Sequence, residues 1–268
     1  VLNRRSKRTL HEADRIGTLL HAHGIAVAAF TVAADERELR AHVKRAARSG
    51  APVVVVGGGD GTMAHAVDAL AYRETILGVR PLGTGNSFAR SLGLDPHDLD
   101  AAVATIASGN HERIDLGRVN GTYFANFATI GLSSEIAAAT SSGLKRWTGV
   151  LAYALAAWGP MRGHKAFRAR IRWKGSRLDV TTQDIIVANG RFFGASPITP
   201  EASITDGRLT LYTNDDPSRI GALVTYFAFG VHQQHRVHVG DVRNRPPELV
   251  GVQRRKVRVA RVGQEALE

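Results

Sequence analysis

The chain has no cysteine, which excludes disulfides and thiolate metal sites and fits a reducing compartment. No apolar run reaches the roughly 18 residues a membrane-spanning helix needs, and the nearest stretch, Gly149 to Met161, is too short. The opening VLNRRSKRT lacks the apolar core of a secretory signal. These absences lead us to expect a cytoplasmic protein without a spanning segment. There is no RNP motif, zinc finger or helix-turn-helix pattern, so no nucleic-acid partner is expected. Internal repeats and low-complexity segments are also missing.

Acidic residues are in short supply: 24 Asp and Glu stand against 35 Lys and Arg, a net charge of +11 over 268 residues. The imbalance is local. Residues 1–112 hold 13 basic and 12 acidic residues, while residues 113–268 hold 22 and 12. A basic second half suggests a polyanionic partner, such as an anionic lipid surface or a phosphorylated substrate. Apolar residues make up 44% of the chain, enough for a sizeable core.

Two rhythms divide the chain. Over residues 1–112, short β-type runs alternate with helical patterns: strands at Val1–Asn3, Ile25–Thr31, Pro52–Val56 and Thr75–Val79, helices at Leu10–His23, Glu36–Arg48, Thr62–Ala71 and Leu99–Ser108. PVVVV is β-branched and apolar on both faces, as a buried parallel strand requires. Strand–helix alternation predicts βαβ units around a mostly parallel sheet. Over residues 113–268 strands dominate: Arg113–Val119, Thr122–Ile130, Phe167–Trp173, Arg177–Ala188, Leu209–Thr213, His235–Val239 and Lys256–Val262. Asn120-Gly121 and Lys174–Ser176 are turn signals. Ser134–Met161 and Ser218–Phe229 read as helical interruptions. The expected fold is α/β with two domains, 1–112 and 113–268, the second a β-sandwich or similar β-rich body.

The chemistry concentrates in VVVVGGGDGT, Val53 to Thr62. A buried strand runs into glycines and then a helix, and ligands of open α/β sheets sit at such strand ends. Glycines allow close approach of backbone to phosphate, and a helix N-terminus favours a polyanion. Thr62 is placed as a helix N-cap or a hydroxyl donor. Asp60 is the odd residue, because an acid beside phosphate implies a divalent cation or proton transfer. The pattern is neither a Walker A loop nor GxGxxG. PLGTGNSFAR, Pro81 to Arg90, repeats the strand–turn–helix logic with Thr84, Asn86 and Ser87 as donors.

GGDGT followed by PLGTGNSFAR resembles the joint signature of the diacylglycerol-kinase catalytic-domain family, which includes bacterial diacylglycerol kinases and sphingosine kinases. The resemblance continues through IDLGRVNGTYFANFATIGL (Ile114 to Leu132) and VANGRFFGASPITPEASITDGRLTLY (Val187 to Tyr212). It implies an N-terminal three-layer α/β nucleotide-binding domain, a C-terminal β-sandwich, and ATP in the interdomain cleft. It also implies transfer of the γ-phosphoryl group of ATP to a lipid hydroxyl with Mg²⁺. Gly58, Gly59, Asp60, Gly61 and Thr62 would hold ATP phosphate and its metal. Asn3, Thr31 and Thr84 would line the nucleotide site. Asp60 and Asp115 would be the catalytic acids. A structural Mg²⁺ would take the Asp206 carboxylate and the backbone carbonyls of Ser203 and Arg208. An anionic membrane surface is the expected peripheral partner, and a homodimer is open.

The chain departs from the family pattern in four places. Arg4 follows Asn3 where many relatives have proline. Met63, Ala64 and His65 follow GGDGT in place of x-Asn-Glu. Ser87 stands where many bacterial members have aspartate. The family's catalytic base is the glutamate of a DGE motif, and no DGE occurs here. We expect that base beyond Glu268, with Glu265 and Glu268 poor substitutes. The alternatives are a nucleotide- or lipid-binding pseudokinase and an NAD-kinase-like enzyme. His232, His235 and His238 read as surface histidines, and Trp147, Tyr153 and Trp158 as core. The run Arg254–Lys256 with Arg258 and Arg261 is either a solvated strand face or a headgroup contact.

Overall fold

The computed structural model describes residues 1–4, 9–132, 134–135, 165–173, 176–193, 196–197, 202–213, 236–237 and 250–260. The three histidines, the aromatic trio, the helix expected at Ser218–Phe229, most of Ser134–Met161 and the basic-run side chains lie outside these residues.

The chain forms two compact units. The first comprises Val1–Asn126, Asn189–Arg208 and Arg243–Glu268; the second comprises Phe127–Ala188 and Leu209–Val242. Compactness thus divides the chain differently from a single cut at 112/113, because the chain returns twice to the first unit.

In the first unit, β1 (Leu2–Asn3), β2 (Val32–Ala33), β3 (Val53–Gly58), β4 (Ile76–Pro81), β5 (His111–Val119), β6 (Thr122–Phe124) and a late strand, Val250–Ala260, form one sheet. Its order is β2-β1-β3-β4-late strand-β5-β6. Pairing is parallel from β2 through β4 to the late strand, and antiparallel on to β5 and β6. The second strand is shorter and later than the Ile25–Thr31 expected. Its partner β1 has only two residues, so only Val32 and Ala33 find register, and most of Ile25–Thr31 stays exposed.

Helices cover both faces of this sheet. α2 (Glu36–Arg48) and α3 (Asp60–Leu70) bury Leu39, Val43, Met63 and Val67 against Val54, Val56, Leu77 and Val79. On the other face, α1 (Thr9–Ala22) and α5 (Leu99–Ala107) enclose Leu2 with Ile16, Leu20, Leu99 and Val103. α5 also sets Ile106 over Gly78 and Val55. The strand PVVVV is apolar on both faces for this reason. α2 is fixed by a reciprocal cap: the Glu38 N–H donates to Asp35 (2.8 Å), and the Glu38 carboxylate accepts the Ala34 N–H (2.7 Å). That Ala34 N–H, then His42, holds the Glu38 carboxyl below the usual carboxylate range.

The second unit holds β7 (Phe127–Gly131), β8 (Phe167–Trp173), β9 (Ser176–Thr182), β10 (Asp184–Ala188), β13 (Thr210–Thr213) and β14 (Arg236–Val237). Two short strands of the first unit, β11 (Phe192–Phe193) and β12 (Ser196–Pro197), pair with each other, and the late strand is β15. A four-stranded sheet runs β14-β13-β10-β7, and β8 and β9 form a separate hairpin. Thr122–Ile130, one strand by pattern, is two: β6 joins the first sheet and β7 the second. Asn120 (φ 48°) and Gly121 (φ 86°) take the left-handed conformations of a two-residue hairpin, with Val119 opposite Thr122.

Candidate active site

The end of β3 and the start of α3 are one turn. Gly59 is the N-cap residue and offers no side chain to cap the helix, whose first return hydrogen bond is Met63 N–H to Gly59 O (3.0 Å). Thr62 is therefore not the cap that its spacing suggests but lies in the first turn, buried. It lies where a β-carbon on Gly58 would stand, and its Oγ1 accepts a hydrogen bond from Asn3 Nδ2 (2.8 Å). Asn3 and Thr62, two residues expected at the nucleotide, thus meet across β1 and α3. The uncapped first turn leaves a site where backbone N–H groups and the helix dipole favour an anion.

The second glycine loop lies directly on the first. A β-carbon built on Gly83 would come within 2.5 Å of the Gly59 Cα, and one built on Gly59 would stand 3.1 Å from the Gly83 Cα, so the backbone crossing requires glycine at 83 and is tight at 59. Asn86 holds this loop in shape. It sits in the left-handed region (φ 48°, ψ 41°), accepts the Gly83 N–H (2.8 Å) and donates to Gly83 O (2.9 Å). α4 (Ser87–Ser91) starts there. Thr84, at the loop tip, is exposed.

Asp60 joins the two loops. Its Oδ2 accepts the Ser87 hydroxyl (3.1 Å), and its Oδ1 accepts the Phe88 N–H (3.0 Å). The acid of the first motif therefore caps the helix that follows the second. Ser87 is 1% exposed, so its hydroxyl is fixed in the interior. Sequence reasoning placed Ser87 as a donor in the crevice and missed that its acceptor is Asp60. The separation of 27 positions gave no local signal.

Asp115 belongs to a second cluster. It is 2% exposed on β5; its N–H donates to Ile204 O (2.7 Å), and its Oδ2 accepts the Gly207 N–H (2.6 Å). Gly207 has φ +71°, and its neighbour Asp206 accepts the N–H groups of Arg208 (2.8 Å) and Ser203 (3.4 Å). Asp115 and Asp206, far apart in sequence, thus share one turn. Asn189, which sequence reasoning did not single out, closes the cluster. It is 1% exposed, and its Nδ2 donates to Asp115 O (3.0 Å) and Ala125 O (2.6 Å). Thr31 contributes its carbonyl, which accepts the Leu2 N–H (2.9 Å).

Residues 1–119 match the model of the diacylglycerol kinase catalytic domain, and residues 127–261 match the YegS C-terminal NAD kinase beta sandwich-like domain. The chain belongs to the family that joins a diacylglycerol kinase catalytic domain to a YegS C-terminal domain. Both expectations of fold, a parallel-sheet α/β domain and a β-sandwich-like domain, hold. A Pseudomonas aeruginosa protein named "Probable lipid kinase YegS-like" is 34% identical over 205 residues, covering 73% of this chain and 66% of that protein. A diacylglycerol kinase of Staphylococcus aureus is 29% identical, covering 72% of this chain and 62% of that protein. The matches thus span less than two thirds of those relatives. A solved diacylglycerol kinase of Bacillus anthracis shares the fold, with a TM-score of 0.70 at 20% identity over 97% of this chain and 96% of that one.

The residues fit a nucleotide phosphate: two glycine backbones in contact and an uncapped helix start. For a divalent cation, no cluster of three or more His, Asp or Glu exists among the described residues. A carboxylate has about four lone-pair sites, and two on Asp60 are used. Asp60 therefore fits a Mg²⁺ that takes its other oxygens from phosphate and water, as Mg²⁺ prefers. Asp206 and the Ser203 carbonyl lie on one turn with lone pairs remaining, which fits a largely hydrated ion. Neither set forms an all-protein cage.

Proposed function

We propose that this protein is an ATP-dependent lipid kinase that transfers the γ-phosphoryl group to a lipid hydroxyl, diacylglycerol or a related lipid. One observation carries the reading: Asp60 braces two glycine loops at the ends of adjacent parallel strands. Membership of the family supports the reaction class.

In this reading, Gly58, Gly59, Gly61 and the first-turn N–H groups of α3 bind the ATP phosphates, with Asn3, Thr31, Thr62 and Thr84 lining the nucleotide. Phosphoryl transfer needs positioning and charge neutralisation more than covalent help from the protein. Asp60 would hold a Mg²⁺ that, when bound, would supply part of that neutralisation. Ser87 and Phe88 hold the Asp60 carboxylate in one rotamer, so its charge is placed before the nucleotide arrives. Asp115 supports this network as a positioning residue, its carboxylate fixing the Gly207 turn that carries Asp206, Ser203 and Arg208, which would hold a supporting cation. The lipid hydroxyl loses its proton to a general base as its oxygen bonds to the γ-phosphorus and the bond to the β–γ bridging oxygen breaks, releasing ADP. Among the described residues no helix is long and apolar enough to cross a membrane. Peripheral contact of a cytoplasmic protein with an anionic membrane suits the excess basic charge.

The test incubates the protein with γ-labelled ATP, Mg²⁺ and mixed vesicles of candidate lipids, then separates products by phase partition and mass spectrometry. Label in an organic-phase species supports the kinase and names its acceptor. Label that stays on ATP, with nucleotide binding intact, replaces the kinase with a nucleotide-binding protein.

A further inference from the structure

The β8–β9 hairpin reads FRARIRW, then SRLDVTT. Side chains alternate along a strand, so Arg168, Arg170 and Arg172 share one face. The register sets Thr181, Asp179 and Arg177 opposite them, and all six residues are exposed. The other face carries half-buried Ile171, Leu178 and Val180. The hairpin therefore packs through one side and offers an arginine row on the other.

The charges on that row do not balance. Asp179 is its single acid, and both Arg170 and Arg177 pair with it. Those two guanidiniums hold the Asp179 carboxyl below the usual carboxylate range. Arg168 and Arg172 have no acidic partner among the described residues. Arg172 also stands directly opposite Arg177, and like charges so placed repel. Four arginines against one aspartate leave a net +3 on this face. At about 3.3 Å per residue, the row from Arg168 to Arg172 is roughly 13 Å long.

We infer that this hairpin face is a docking surface for an anionic lipid bilayer. A bilayer presents laterally extended phosphates, and a flat arginine row meets several at once. Single-stranded nucleic acid is disfavoured because the exposed face has no aromatic residue on which bases could stack. Arg170–Asp179–Arg177 acts as a strut that holds the row in place, and Arg168 and Arg172 at its flanks make the new contacts. The choice of a bilayer rests on the lipid-kinase reading; the charge geometry does not.

The test measures co-sedimentation of the full chain, without ATP, with phosphatidylcholine vesicles that contain or lack phosphatidylserine. Each arginine near an anionic surface is worth about fivefold in binding. The protein is expected on the anionic vesicles only, with binding falling as salt rises. Arg168→Gln with Arg172→Gln is expected to weaken it about 25-fold. Asp179→Asn adds one net positive charge and is expected to tighten it about fivefold, a gain that misfolding does not mimic. Both variants are expected to keep wild-type turnover on a short-chain diacylglycerol in detergent. Vesicle binding indifferent to both variants overturns the inference. So does a single-stranded RNA oligonucleotide that binds more tightly than vesicles and responds to the same variants. If vesicle binding follows the arginines in a protein with no kinase activity, the surface stands and the kinase reading falls.

Discussion

Asp60 serves folding and, in the proposed reaction, chemistry as well. Its two oxygens join Ser87 and Phe88 to the first glycine loop, and each oxygen keeps a lone pair free of those two bonds. Ser87→Ala removes one donor to that carboxylate. Hydrogen bonds to charged groups are worth about 1.5–3 kcal/mol, so kcat is expected to fall at least about tenfold. Ser87→Thr, which restores a hydroxyl, is expected to recover much of it, as steady-state assays on one lipid would show. Asn189 is the structural counterpart. Asn189→Ala leaves the buried carbonyls of Asp115 and Ala125 short of a donor and is expected to cost about 1–3 kcal/mol. Urea unfolding checks this through a lowered midpoint at unchanged slope.

Caps and glycine crossings carry the next level. Asp35→Ala deletes the acceptor for Glu38 N–H at the start of α2 and is expected to cost about 1 kcal/mol by thermal unfolding. Gly83→Ala drives a β-carbon into the Gly59 backbone. It is expected to separate the loops, weaken ATP binding in calorimetry and cost about 1–3 kcal/mol of stability. Elements with strong local signals were legible from sequence alone. Glu36–Arg48 has an amphipathic pattern, an N-cap and a basic last turn, and the helix has those bounds. PVVVV marked the buried strand, and Asn120-Gly121 marked the hairpin turn. What failed depended on partners. Ile25–Thr31 has strand composition, but its neighbour offers two residues of register. The break between β6 and β7 reflects a change of sheet that apolar alternation cannot encode. The candidate site was legible as motifs. The Asp60–Ser87 link and the Asp115–Gly207 link were not, since each joins distant positions.

On the scale of the whole molecule, the chain weaves one unit from three segments and the other from two. Asn189–Arg208 returns from the β-rich unit to hold Asp115, so the second cluster depends on completion of the fold. Charge is also organised at this level, because the basic excess lies in the second half of the chain. A ligand that binds only the folded state stabilises it, by about 2.7 kcal/mol at a hundredfold excess over Kd. MgATP is therefore expected to raise the melting temperature of wild type, and much less that of Gly83→Ala. The most direct measurement compares Asp60→Asn with wild type for phosphoryl transfer from labelled ATP to lipid, with melting temperatures taken on the same samples. Loss of turnover by a factor of about 100 or more is expected while the fold persists, since Asn keeps an acceptor oxygen for α4 but lacks the charge. Wild-type turnover in that variant would contradict the assignment of these loops as the site of phosphoryl transfer.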